Sequence, residues 1–371
     1  MASLAKASDR DTFTFADTSV CKGIAVLMML FHHLFNEYGE FAGYYVNYWP
    51  FTGDQVITIG LICRVCVAVF VFITGFGLAA SYAKCFGDGV ATAKEAAAFS
   101  VSRWWKLMMQ FWPVYVLAVL CAPLGRNPLA VYGGGIRTVA SSGLIDFMGL
   151  AEAFHKGSLN PTWWYMSLAI VFIFIAPVVM RAVRAFDSSI VLVVGVMVVS
   201  LFGHEGSSFG SYIASYLLGI FCHEHKVFES WAAWRADRSG GTALKALISG
   251  VLLLGMLLMR NNFNYAGTTD AFCALLLCMF AMSALRSVPL LTPLLKLCGH
   301  HSTNMFLVHT LMYSYYFLGF YYSFQIPIVI LAVLAATSML VSFVLEKLEN
   351  ATPYHAVMER LGKKVVGLIA S

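Results

Sequence analysis

Two adjacent histidines, His32 and His33, sit near the far end of an apolar, helix-length run, Lys22 to Glu37 (KGIAVLMMLFHHLFNE). On a helix, residues three and four apart share a face, so His33 is expected to point the same way as Asn36 and Glu37. Neutral imidazole is the usual general base near neutral pH. A carboxylate one turn on, Glu37, could orient the ring and stabilise its charged form, as the third member of a triad does. His33 and Glu37 are therefore the candidate catalytic groups. The competing reading is that His32 and His33 hydrogen-bond between helices. Ionisable groups in apolar spans are rare and usually mark a pathway or reaction site.

Three further places carry charge or imidazole within apolar sequence. Arg64 lies inside a long apolar run. It could face a cavity and bind an anion or carboxylate, snorkel, or pair with Glu37 or Asp54. Arg103 and Lys106 are three apart and share a helix face. Paired cations suit phosphate groups, but they also serve as topological anchors. His309 ends the stretch MFLVH and could contribute to a site or to packing.

These residues need apolar elements to hold them. The chain has 371 residues, 60% hydrophobic and 12% charged, with mean hydropathy +0.76. Soluble domains average about 25% charged residues, so the composition indicates an all-α polytopic membrane protein. The net charge of +5 is explained by topology and calls for no nucleic acid. Nine cysteines, an odd number, indicate no disulfide framework. Cys63 and Cys66 form a CxxC without the βαβ context of a redox pair. The apolar run near the N-terminus follows a polar segment and lacks a small-x-small cleavage pattern, so it is expected to remain as the first span.

Ten spans are expected, at about 22–38, 58–83, 106–122, 163–180, 189–203, 209–222, 245–260, 270–285, 299–319 and 326–345. Residues 1–21 and 346–371 form terminal segments around a transmembrane domain at 22–345, with no soluble domain expected. Loop 39–57 is aromatic and suits the membrane interface; loop 123–160 is the longest polar stretch. Counting lysine and arginine, loops on the side of the termini hold twelve and loops on the other side hold four (Arg126, Arg137, Lys156, Arg260). Positive charge stays inside, so both termini are expected to be cytoplasmic, in a cytoplasmic membrane.

Two motifs are decoys. Gly206-Ser207-Ser208-Phe209-Gly210 spells GxSxG, but a nucleophile elbow needs a strand before it and a helix behind it. His223-Glu224-His225 is too tight to place both histidines on one helix face. No ligand cluster in the sequence supports a metal.

Five stretches, in order, resemble the acyltransferase-3 family of membrane O-acyltransferases. Lys22 and His33 are separated by ten residues, like the family's basic-x10-His motif. Val69 to Phe76 (VFVFITGF) looks like its FFxxSGF segment, with Thr74 where serine is usual. Arg103 through Pro113-Val114-Tyr115 resembles its basic segment ending in Pro-x-Tyr, with Lys106 where a second arginine is common. Trp164 to Pro177, and Gly299 to His309 (GHHSTNMFLVH), resemble its fourth-span and late-span motifs. The resemblance covers about residues 15–345. Many members carry a glutamate a few residues after the matching tryptophan, where this chain has Ala169, and the hydrolase-like domain fused to some members is not expected here.

The resemblance implies transfer of an acyl group, typically acetyl, from cytoplasmic acyl-CoA to a hydroxyl of a cell-surface carbohydrate, a lipid-linked sugar or a related acceptor. It makes His33 the group that deprotonates the acceptor or relays the acyl unit. Arg103 and Lys106 fall where CoA phosphates would lie, and Arg64, His309 and Trp164 join them as candidate substrate-binding residues. Two rivals remain, a polytopic transporter or exporter, which would consume no acyl-CoA, and a non-catalytic sensor on the same scaffold, in which His33 would be replaceable. Sequence leaves the acceptor, the acyl chain length and the oligomeric state open.

Overall fold

The structure is a computed structural model that describes residues 12–41, 43–202, 209–260, 266–286 and 288–370. Among these residues the regular structure is helical, without strands. In chain order the helices are α1 (Phe15–Phe35), α2 (Gly53–Cys63), α3 (Cys66–Phe86), α4 (Ala93–Leu120), α5 (Pro128–Tyr132), α6 (Ile136–Phe147), α7 (Trp164–Phe186), α8 (Ser188–Phe202) and α9 (Gly210–Glu224). They continue with α10 (Val227–Ala233), α11 (Gly241–Met259), α12 (Ala266–Ala284), α13 (Leu291–Thr310), α14 (Leu318–Tyr322), α15 (Pro327–Ala351) and α16 (Tyr354–Ala370). A π-helical segment, Leu311–Tyr316, follows α13 directly.

Among the described residues six helical stretches are long and apolar enough to cross a membrane, where ten spans were expected: Phe15–Phe35, Gly53–Phe86, Pro161–Phe186, Gly241–Met259, Gly267–Ala284 and Pro327–Ala351. Apolar helices suit such a setting because every backbone polar group is satisfied within the segment. The expected second span is interrupted at Arg64-Val65, where α2 gives way to α3. The expected ninth span changes from α to π at Leu311. The polar loop 123–160 contains α5 and α6, and part of the GxSxG decoy, Gly206 to Ser208, lies outside the described residues.

The chain divides into two compact units. The first comprises Met1–Met29, Ile62–Val90 and Val178–His300. At its centre α9 packs on α3, α8 and α12. Two glycines permit that contact: a Cβ on Gly75 would stand 2.2 Å from the Tyr216 carbonyl oxygen, and one on Gly219 would stand 2.2 Å from that of Phe72. Small residues at such crossings let helix backbones approach closely. Glu224, from the His-Glu-His decoy, is engaged by Arg184 in an ion pair, and buried Asp270 is held by Arg260. The nine cysteines are free, Cys63 and Cys66 included.

The second unit comprises Leu30–Leu61, Ala91–Pro177 and His301–Ser371. Its core gathers Met108, Phe111 and Tyr115 of α4 with Trp163, Leu307 and Leu311. A capping box starts α4: the Glu95 N–H donates to Thr92 Oγ1 and the Thr92 N–H to Glu95 Oε2. The loop 123–160 is tied by buried Asp146, which accepts from the Tyr132 hydroxyl (2.8 Å), the Ser158 hydroxyl (2.7 Å) and the Leu159 N–H (2.9 Å). Burial pushes the Asp146 carboxyl up from its ordinary value, against the lowering effect of those three donors. The C-terminal α16 packs along α4. There the Trp105 indole donates to the Met358 carbonyl and the Tyr354 hydroxyl to that of Met109, each at 2.8 Å.

Candidate active site

In the second unit His33, from the last turn of α1, meets His309, from the last turn of α13, with ring centroids 5.1 Å apart. His32 lies equally close to His33, at 5.1 Å. The three imidazoles have different surroundings. The His32 Nδ1–H donates to the Gly60 carbonyl at 2.9 Å, because a carbonyl can only accept. By the same reasoning the His309 Nδ1–H donates to the Phe306 carbonyl at 2.7 Å, which leaves Nε2 bare to accept from the Thr310 hydroxyl at 3.0 Å. His309 is fully buried, and both its nitrogens are engaged. His33 is half-buried, and among the described residues neither of its ring nitrogens has a hydrogen-bond partner.

The backbone around this cluster is held by side chains. A helix end leaves its last carbonyls without partners. At the end of α1 the Tyr313 hydroxyl donates to the His33 carbonyl (2.9 Å) and the Tyr322 hydroxyl to that of Leu34 (2.8 Å). The π segment begins four residues beyond Leu307, and π turns often mark functional sites. The Leu307 carbonyl accepts from Asn160 Nδ2 (3.0 Å) and Trp163 Nε1 (2.9 Å). Thr162, whose hydroxyl donates to Asn160 Oδ1 at 2.8 Å, also meets the Thr310 hydroxyl at 3.3 Å. Two short polar runs, Thr162 to Asn160 and Thr310 to His309, therefore end against each other at the two hydroxyl oxygens, close to the ring of His33.

The expected partnership of His33 with Glu37 does not form. Helix α1 ends at Phe35, and Asn36 and Glu37 lie in the bend that follows, so the shared helical face stops short of them. Glu37 is exposed, and no hydrogen bond among the described residues joins it to His33. Asn36 Oδ1, by contrast, is buried and has no hydrogen-bond partner among the described residues. The imidazoles beside His33 are those of its neighbour His32 and of His309, 276 positions along the chain.

The other expected residues are spread out. Arg64 belongs to the first unit, on the exposed turn between α2 and α3, with the Tyr212 hydroxyl as a hydrogen-bonding neighbour. Arg103 lies over the Phe99 ring, 5.3 Å from its centroid. Lys106 lines a groove between α4 and α16. Trp164 packs edge-on to Tyr165 at 6.2 Å, while its neighbour Trp163 makes the hydrogen bond to the His309 helix. His301 is engaged through Nδ1 by the Ser342 hydroxyl at 2.9 Å, with Glu346 at 3.9 Å.

Asn160, Thr162, Trp163, Thr310 and Tyr313 were not singled out from the sequence. Their signals were local and weak: an Asn-Pro ahead of an aromatic cluster, and hydroxyl residues interrupting the apolar run after His309.

A free imidazole beside an immobilised one can take a proton from a hydroxyl or carry an acyl group. Comparison with known proteins agrees with that chemistry. A family model described as an acyltransferase domain matches residues 16–347, nearly the whole chain. No curated protein and no solved structure matches it. The matched span runs from the start of α1 to the last turns of α15 and takes in both histidines of the pair, and on that match the chain belongs to the acyltransferase-3 family.

Proposed function

We propose that the protein transfers an acetyl or related acyl group from acyl-CoA to a hydroxyl of a cell-surface carbohydrate or lipid-linked sugar. The observation that carries this reading is the ring of His33, without a hydrogen bond among the described residues, beside the fully engaged ring of His309. His33 takes the proton of the acceptor hydroxyl while that oxygen attacks the thioester carbonyl. The tetrahedral intermediate collapses, the C–S bond breaks, and the CoA thiolate recovers the proton from the imidazolium. Arg103 and Lys106 supply positive charge for the donor's phosphates, and Arg64 and Trp164 serve the substrates. In this reading the chain spans the membrane ten times with both termini cytoplasmic, and acyl-CoA approaches from the cytoplasmic side.

The test is acyl transfer from radiolabelled acetyl-CoA by membranes containing the protein, beside His33→Ala at equal abundance. Label entering a glycan fraction with wild type and not with the variant supports the reading. Equal label with both removes His33 from the mechanism. Label no higher than in empty membranes, together with flux of a solute across them, would favour an exporter.

A further inference from the structure

Beyond Lys347, the end of the region matched to the family, the chain turns back as α16 and lies along α4. The turn is fixed by the Trp105 and Tyr354 hydrogen bonds already described and by Gly362, which is buried against the Trp105 indole. The two helices do not close completely. Between them runs a groove of about 790 Å³ whose walls include Trp105, Lys106 and Gln110 on one side and His355, Glu359 and Lys363 on the other. Cavities of this size hold drug-sized and cofactor-sized ligands.

The charges in the groove are uneven. Lys106 and Lys363 stand on opposite walls, and among the described residues neither has an ion-pair partner. His355 Nε2 lies 3.3 Å from the Glu349 carboxylate. Glu359 supplies one negative charge, and Arg360 and Lys364 add two positive charges beside it on α16. Met109 and Val366 give the floor an apolar surface. Two unpaired ammonium groups facing across an elongated, partly apolar trough suit a phosphorylated ligand with a long organic arm.

We propose that Lys363 and the C-terminal helix complete the donor site: the groove binds the phosphorylated nucleotide portion of CoA between Lys106 and Lys363. This rests on the reading of the protein as a CoA-dependent acyltransferase, and it adds a residue from outside the matched domain to the donor's grip. An ammonium group at contact distance from a phosphate, facing water, is worth about fivefold in affinity, and the gain is screened by salt.

The experiment uses the full chain in phosphatidylcholine nanodiscs and measures binding of CoA and 3′-dephospho-CoA by calorimetry. Lys363→Gln is expected to weaken CoA about fivefold and flatten the salt dependence, with Lys363→Arg close to wild type. His33→Ala should bind CoA normally, which separates donor binding from chemistry. If Lys363→Gln binds CoA like wild type while the wild-type protein transfers acetyl, the inference fails and the proposed function stands. If wild type binds no CoA, both fail. If phosphatidylglycerol in the nanodiscs displaces CoA in a Lys363-dependent way, the groove is a lipid site and the proposal is overturned.

Discussion

The rings of His33 and His309 lie 5.1 Å apart, although 276 positions separate them along the chain. What distinguishes them is hydrogen bonding. His309 is held at both nitrogens by Phe306 and Thr310, whereas His33 has neither nitrogen bonded among the described residues. A group whose nitrogens are occupied sets geometry, and a group whose nitrogens are free can exchange a proton.

This difference predicts unequal mutants. His33→Ala should lower acyl transfer about 10²- to 10⁴-fold, the range of a lost general base. His309→Phe keeps a ring but loses both hydrogen bonds and should cost about 10- to 100-fold through misplacement of its neighbour. Rates measured at saturating donor decide the matter, and equal losses for the two variants would end the division of roles.

Tyr313→Phe deletes the hydroxyl that caps the His33 carbonyl. Leaving that carbonyl without its donor should cost about 1–3 kcal/mol. Thermal unfolding in detergent should show a lowered midpoint, with transfer reduced but measurable. An unchanged midpoint would mean that another donor reaches the carbonyl.

Gly75→Ala should prevent accumulation of folded protein, since its Cβ would stand 2.2 Å from backbone that cannot yield cheaply. Gly77→Ala, two residues on, meets nothing within 4 Å and should behave as wild type. Comparable yields of the two variants by size-exclusion chromatography would contradict the close α3–α9 contact.

Asp146 gives a pH signature. Its folded-state value is raised by burial, so as pH climbs the unfolded chain releases this proton before the folded chain does. The contribution to stability is therefore full below the ordinary aspartate range, near 4, and is lost as pH rises through the raised value. Asp146→Asn should remove that slope, as read from unfolding midpoints collected across mildly acidic to neutral pH. A slope identical to wild type would place the titration elsewhere.

The helical, membrane-spanning class was legible because apolar runs dominate the composition, and the placement of His33 on a first span was legible from local spacing. The pairing with Glu37 was misread because nothing in LFNE signals that the helix stops at Phe35; the tyrosines that terminate it lie some 280 residues away. The role of Trp163 rather than Trp164 depends on which indole faces the Leu307 carbonyl, a matter of helix phase that adjacent tryptophans leave open. His309 was visible as a residue, but its bonds to Phe306 and Thr310 arise only where α13 passes into the π segment.

That segment, Leu311–Tyr316, has one more consequence. A π turn holds more residues than an α turn over the same axial length, so here the number of residues is a structural variable in its own right. Removing a single residue between 311 and 316 would let the chain relax into ordinary α-helix. It would also rotate Tyr313 or Tyr322 away from the carbonyls they cap, while most substitutions on the outer face of the same turns would leave that rotation untouched. Length, more than side-chain identity, is what this short stretch encodes.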